Sequence, residues 1–154
     1  MRNQISVAAI AVGLMLCTST DAALGGEMQS LNEWIKKPAD QQEASYLFVR
    51  CAGFYHGLMS YMGSSLDPNV MQQYQMSIIS LSFASMEARR SRRGGEVKDY
   101  LEEVNHDRNI VAEMYNKRMH QNYAASGQAF ADDAFIMGDW KICKAMDRLA
   151  KGKS

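Results

Sequence analysis

The sequence predicts an all-α protein, a helical bundle of four long helices plus one short N-terminal helix, closed by one disulfide. Three observations carry this expectation. Apolar residues recur at helical spacing through four long segments, no run alternates apolar and polar residues as a half-buried strand would, and proline, glycine and aspartate punctuate the segment ends. A hydrophobic content of 47% with only 2 prolines is enough to bury a core and argues against disorder.

Residues 1–22 read as a secretory signal peptide. Arg2 gives a positive start, residues 5–17 an uncharged apolar run, and Thr18, Thr20 and Ala22 a small-residue exit, with cleavage expected before Ala23. The apolar run is shorter than the roughly 18 residues of a spanning helix, so a cleaved signal is expected rather than an anchor. Residues 23–154 then form a single helical domain that is exported, periplasmic or secreted. Cys17 leaves with the signal, and bulky Leu16 before it disfavours lipid attachment there.

Residues 28–37, with Leu31, Trp34 and Ile35, make a short amphipathic helix. Pro38, Ala39 and Asp40 open a long helix running to Met62, where Gly63, Ser64 and Ser65 stop it. Asp67 followed by Pro68 is an N-cap with proline at the first helical position, and the helix it starts ends in Arg89, Arg90, Ser91, Arg92 and Arg93 before Gly94 and Gly95. A third long helix begins near Glu96 and continues to about Tyr123, and a last one covers residues 132–150.

Projection at about 100° per residue places Leu47, Cys51, Phe54 and Leu58 on one stripe of the first long helix. Ile136, Trp140, Cys143 and Met146 form the matching stripe of the last. Cys51 and Cys143 therefore both face the core, and in an oxidising compartment a lone pair of cysteines bonds to itself. Closing that loop stabilises the fold by about 4 to 5 kcal/mol in the chain-entropy model, as an upper figure. No CxxC motif is present, which argues against thiol exchange.

The second long helix is apolar on two sides. Val70, Met71, Tyr74, Ile78 and Leu81 make one stripe, and Met76, Ile79, Phe83 and Met86 another nearly opposite. Such a helix is either sandwiched, here by residues 28–37, or presents an interface for a protein partner or for self-association.

Three constellations invite a chemical reading. His56, Met59 and Met62, in a chain with 12 methionines, suggest soft-metal binding, but helical spacing spreads the three donors apart and methionine commonly fills irregular cores. Asp107, Arg108 and Arg118 on the third long helix, with Asp139 and Asp147 beside Cys143, could form an acid–base site or simply pair with one another or with Arg50 to fix helix register. His106 and His120 project away from the core stripe or toward its edge, with no nucleophile in reach. The cluster Arg89, Arg90, Arg92 and Arg93 either complements the helix dipole or makes an anion contact with a lipid headgroup or an acidic partner.

With 17 basic and 17 acidic residues, there is no global electrostatic ground for nucleic-acid binding, and Arg2 and Asp21 leave together with the signal. No Ser-His-Asp signature, phosphate loop, HExxH or CxxCH motif is present, and no cofactor is expected. The expectation is a small exported helical protein that acts by binding another macromolecule and is not an enzyme. The alternative is a carrier of a small ligand or soft metal in the bundle interior.

Overall fold

The computed structural model describes residues 28–130 and 132–152, so the signal peptide and its cleavage site lie outside the described residues. The helices are α1 (Leu31–Trp34), α2 (Ala44–Met62), α3 (Pro68–Arg93), α4 (Leu101–Ser126) and α5 (Ala134–Ala150). No strand occurs among the described residues.

Side-chain caps account for most of the starts. Ser30 receives the backbone N–H of Glu33 at α1, Asp67 those of Asn69 and Val70 at α3, and Asp133 those of Phe135 and Ile136 at α5. The start of α4 is a tight turn, Val97–Tyr100, with a reciprocal capping box between Glu96 and Asp99. Gly94 (φ 80°) and Gly127 (φ 74°) take the left-handed backbone that ends α3 and α4, a conformation a side chain would strain.

The largest departures from the sequence reading are in the first two helices, and α4 also runs on to Ser126, past its expected end near Tyr123. The short first helix is a single turn, Leu31–Trp34, rather than residues 28–37. Pro38 opens only the turn Ala39–Gln41, after which Gln42 and Glu43 are extended and α2 begins at Ala44. The reason lies in the unpaired carbonyls that end α1. Gln42 folds its side-chain amide back to donate to Ile35 O (2.9 Å) and Lys37 O, which holds the chain out of a helix there.

Helix α2 is the centre of the molecule, and residues 49–55 are buried all round it. It packs along both α3 and α4, which meet each other directly near the end of α3 and the start of α4, and it also contacts α5. Pairs Ser45–Ser85 and Tyr55–Tyr74 run antiparallel between α2 and α3. Gly53 and Gly57 face α4, where a Cβ on Gly53 would sit 2.5 Å from Val111 Cγ1 and one on Gly57 2.8 Å from Ala112 O. The absence of side chains at these two positions sets how closely the helix axes approach. Leu31, Phe54, Leu58, Leu81, Met119 and Ile136 fill the core around the Cys51–Cys143 disulfide. That bond closes 92 residues and joins the inner faces of α2 and α5, as their apolar stripes predict.

The sandwich expected for α3 does not form. Helix α1 packs instead on α5, with Trp34 stacked on Tyr46 of α2 at 5.1 Å. What α3 turns inward is Ser77, Leu81, Ser82, Ser85 and Arg89.

Candidate functional site

Arg50 precedes Cys51 on α2 and Asp139 lies one turn before Cys143 on α5, so the disulfide that joins the helices also brings a guanidinium to a carboxylate. Both side chains are fully buried, with Arg50 Nη2 2.7 Å from Asp139 Oδ2. Arg50 Nε donates to the Tyr115 hydroxyl (2.7 Å) and Nη1 to the Tyr46 hydroxyl (2.8 Å). Tyr115 donates in turn to Asp139 Oδ2 (2.5 Å), and Asp139 Oδ1 accepts the backbone N–H of Leu31 (2.7 Å). Four helices therefore meet at one carboxylate.

Burial pulls the Arg50 guanidinium down, but Tyr115, Tyr46 and Asp139 outweigh it and hold it above the ordinary arginine range. Burial, opposed by Arg50 and reinforced by Asp139, lifts the Tyr115 hydroxyl well above the ordinary tyrosine range. Arg50 thus stays charged and Tyr115 stays protonated. With Arg50, Tyr115 and Asp139 fully buried and bonded to one another, this cluster fixes helix register, and only Tyr46 extends from it toward the surface. Of the alternatives weighed for Asp139, the structure forms the ion pair with Arg50.

The other acids are also engaged. Asp147 meets Lys151 Nζ at 2.9 Å, which ties the end of α5 to Ser77 of α3 through the same ammonium. Asp107 meets Arg89 at 2.7 Å. Arg118 pairs with the N-cap residue Asp133 (Nε–Oδ2 2.6 Å), an acid that sequence reasoning did not single out. Burial raises the Asp133 carboxyl, but Arg118, Asn122 and the backbone N–H of Ile136 more than offset this and hold it below its ordinary value. Arg108 meets no acid among the described residues and donates to Asn109 at 3.3 Å.

The arginine cluster divides. Arg89 is only 6% exposed and reaches across to α4, where Nη1 contacts Glu103 and Nη2 binds Asp107, leaving Nε without an acceptor. Arg93 also binds Glu103 (2.7 Å) and stacks on Tyr100, Arg90 binds Glu87 (2.8 Å), and Arg92 approaches Glu43 at 3.3 Å. Each arginine thus has an acidic neighbour, which lessens the cluster's pull on external anions. Between α2, α3 and α4, Arg89, Arg92 and Arg93 with their acidic partners Glu43, Glu103 and Asp107 rim a cleft of about 770 Å³ that Tyr46, Val49, Ile110 and Met114 also line.

His56 lies in a shallow depression with Ser60, Asn109, Glu113 and Asn116 that neither Met59 nor Met62 lines. Its Nδ1 is buried without a partner, and burial first, then Arg108, lowers its proton affinity. His106 is exposed, and the ring of exposed His120 stands edge-on to Tyr61. Among the described residues, no three His, Cys, Asp or Glu side chains cluster to hold a metal ion.

The outer face of α3 is different in kind. Met76, Ile79 and Phe83 are 52%, 62% and 52% exposed, and Met86 is half-buried. The sequence stripe is present on the surface as a continuous apolar strip ending at Arg90.

The chain matches no family model, no curated protein and no solved structure.

Proposed function

We propose that this is an exported, non-enzymatic binding protein whose outer α3 face docks another protein. The exposed strip of Met76, Ile79 and Phe83 carries this reading, because three large apolar side chains aligned on one helix are costly to leave in water and mark an interaction surface. The Cys51–Cys143 disulfide supports the export inferred from the signal-like residues 1–22, and the saturation of Asp139 by three donors supports a structural rather than chemical use of the core cluster. Arg90, at the end of the strip, adds a polar contact for the partner.

The test places a photo-reactive benzoylphenylalanine at Ile79 and irradiates the protein in its native compartment. A discrete adduct that disappears when Phe83→Asp is added supports the reading, and absence of any discrete adduct overturns it. Because Phe83 is half-exposed, the Asp variant should lose less than about 1 kcal/mol of stability, which separates lost docking from lost folding.

A second reading, a carrier of a small apolar ligand, is favoured by the cleft between α2, α3 and α4 rather than by the bundle interior, which side chains fill. Tight binding of an uncharged fluorescent probe such as N-phenylnaphthylamine, abolished by Val49→Trp, would support it. Unchanged binding in that variant would remove it.

A further inference from the structure

We infer that the occupant of the α3 face is a second copy of this chain, laid antiparallel so that Met76 packs on the partner's Met86 and Ile79 on the partner's Phe83. The inference rests on the docking reading above and names its partner.

The spacing along the outer face is the basis. Asn69, Gln72, Met76, Ile79, Phe83, Met86, Arg90 and Arg93 follow one another at alternating steps of three and four, the repeat of a helix pair that packs knobs into holes. All eight are exposed or half-buried, and the four apolar residues at the centre of the seam are left open; at its end Arg90 binds Glu87 of its own helix and Arg93 binds Glu103 and stacks on Tyr100, each keeping guanidinium N–H groups to spare. Two ways of pairing this seam with itself differ sharply. In a parallel pair every residue meets its own copy, so Arg90 faces Arg90 and Arg93 faces Arg93, and like charges oppose at the close-packed positions. In an antiparallel pair the two kinds of seam position face each other. The four apolar residues then pair only among themselves. Arg90 meets the partner's Gln72 and Arg93 the partner's Asn69, where guanidinium donors find amide oxygens.

The flanks agree with the same register. Ser80, beside the centre, is small enough to let the helices approach, and Glu87 falls opposite the partner's Gln73 rather than another acid. Helix α3 turns its opposite face, with Ser77, Leu81 and Ser85, into its own fold, where Ser85 bonds Ser45 of α2 and Ser77 meets Lys151 beyond α5, so the two bodies stand on opposite sides of the pair. A two-fold interface of this kind is self-complementary, the commonest arrangement in homo-oligomers.

Sedimentation of the purified, disulfide-intact chain between ~10 and ~500 µM should show a concentration-dependent dimer that Phe83→Asp returns to monomer. Register is read by mixing chains carrying Met76→Cys with chains carrying Met86→Cys and adding a short bis-maleimide. The mixed cross-link should dominate several-fold, because like positions lie about 15 Å apart along the axis in the antiparallel register. A chain that stays monomeric at ~500 µM, or cross-links that are mainly between like positions, overturns the proposal. If the chain is monomeric yet Ile79 still gives an adduct with a different protein, self-pairing alone falls. If Ile79 gives no adduct, both fall.

Discussion

Replacing Asp139 by asparagine keeps the side chain's volume and removes its charge, which isolates what the buried carboxylate does. In the native protein it receives Arg50 Nη2, the Tyr115 hydroxyl and the Leu31 backbone N–H. Three bonds to a charged group at about 1.5–3 kcal/mol each would suggest a loss above 4 kcal/mol. They share one acceptor group, however, and an asparagine oxygen at the Oδ2 position can still accept the two from Arg50 and Tyr115, so the governing term is the Arg50 charge left buried without a counterion. Breaking one side of a buried pair costs about 3–5 kcal/mol, a large share of the roughly 5–15 kcal/mol that holds a domain together. Urea unfolding with the disulfide intact, followed by circular dichroism and by Trp34 and Trp140 fluorescence, should register that loss as a lower midpoint at unchanged slope. The double variant Arg50→Met with Asp139→Leu removes both charges and should recover most of the loss, since apolar replacement of a whole buried pair is often near neutral. A loss under about 1 kcal/mol for Asp139→Asn, or a double variant as unstable as the sum of the singles, would refute the reasoning.

Gly57→Ala should destabilise by about 1–3 kcal/mol although alanine is the better helix former by about 1 kcal/mol, because its Cβ would meet the Ala112 carbonyl at 2.8 Å; a melting temperature at or above the parent's would contradict the close α2–α4 approach. Since the folded protein lowers the proton affinity of His56, the stabilisation this histidine provides is complete above about pH 6.5 and is lost as pH falls through the folded value; His56→Gln should flatten stability measured between pH 7 and 5, and an unchanged slope would count against it. The same sign holds for Asp133 in a more acidic window, below its ordinary value, where the Arg118 pair and the α5 cap are lost together, so Asp133→Asn should reduce the steepness of acid unfolding. Replacing Cys51 and Cys143 by alanine together should cost at most about 4–5 kcal/mol, and purified protein in which both thiols alkylate freely after unfolding would exclude the bond.

What the sequence made legible was local or periodic. Cys51 and Cys143 each stood at the centre of an apolar stripe, Asp67 and Pro68 announced the start of α3, and the seam of Met76, Ile79, Phe83 and Met86 was visible as a second period on one helix. The missed features depend on which elements become neighbours. Nothing local says that Arg50 will be buried, because its compensation comes from Asp139 and Tyr115, 89 and 65 residues away. Gly53 and Gly57, spaced four apart on α2, were a readable sign of close helix approach, and so was Gln42 as a donor for the carbonyls ending α1. The covering of α3 by the first helix was expected from apolar area alone. A single helical turn is too short to cover a strip of that length, and the Leu31 N–H at its start is held by Asp139 instead.

The central place of α2 bears on how the protein opens and closes in solution. Amides of residues 49–55 lie inside a helix that other elements cover on all sides, so their hydrogens should exchange only in the largest openings of the fold, far more slowly than those of any exposed turn. Turns of α4 beyond His120, where the side chains are mostly exposed, should exchange through fraying orders of magnitude faster. Apart from the ion pairs of Arg89 and Arg93 with Glu103 and Asp107 and the Arg93–Tyr100 stack, α3 and α4 meet through α2, so either one can loosen once those few pairs near the end of α3 are broken. Partial openings of this protein should therefore bare one flank of α2 at a time, and a ligand or partner that holds α3 in place should slow exchange along α2 while leaving the far end of α4 as it was.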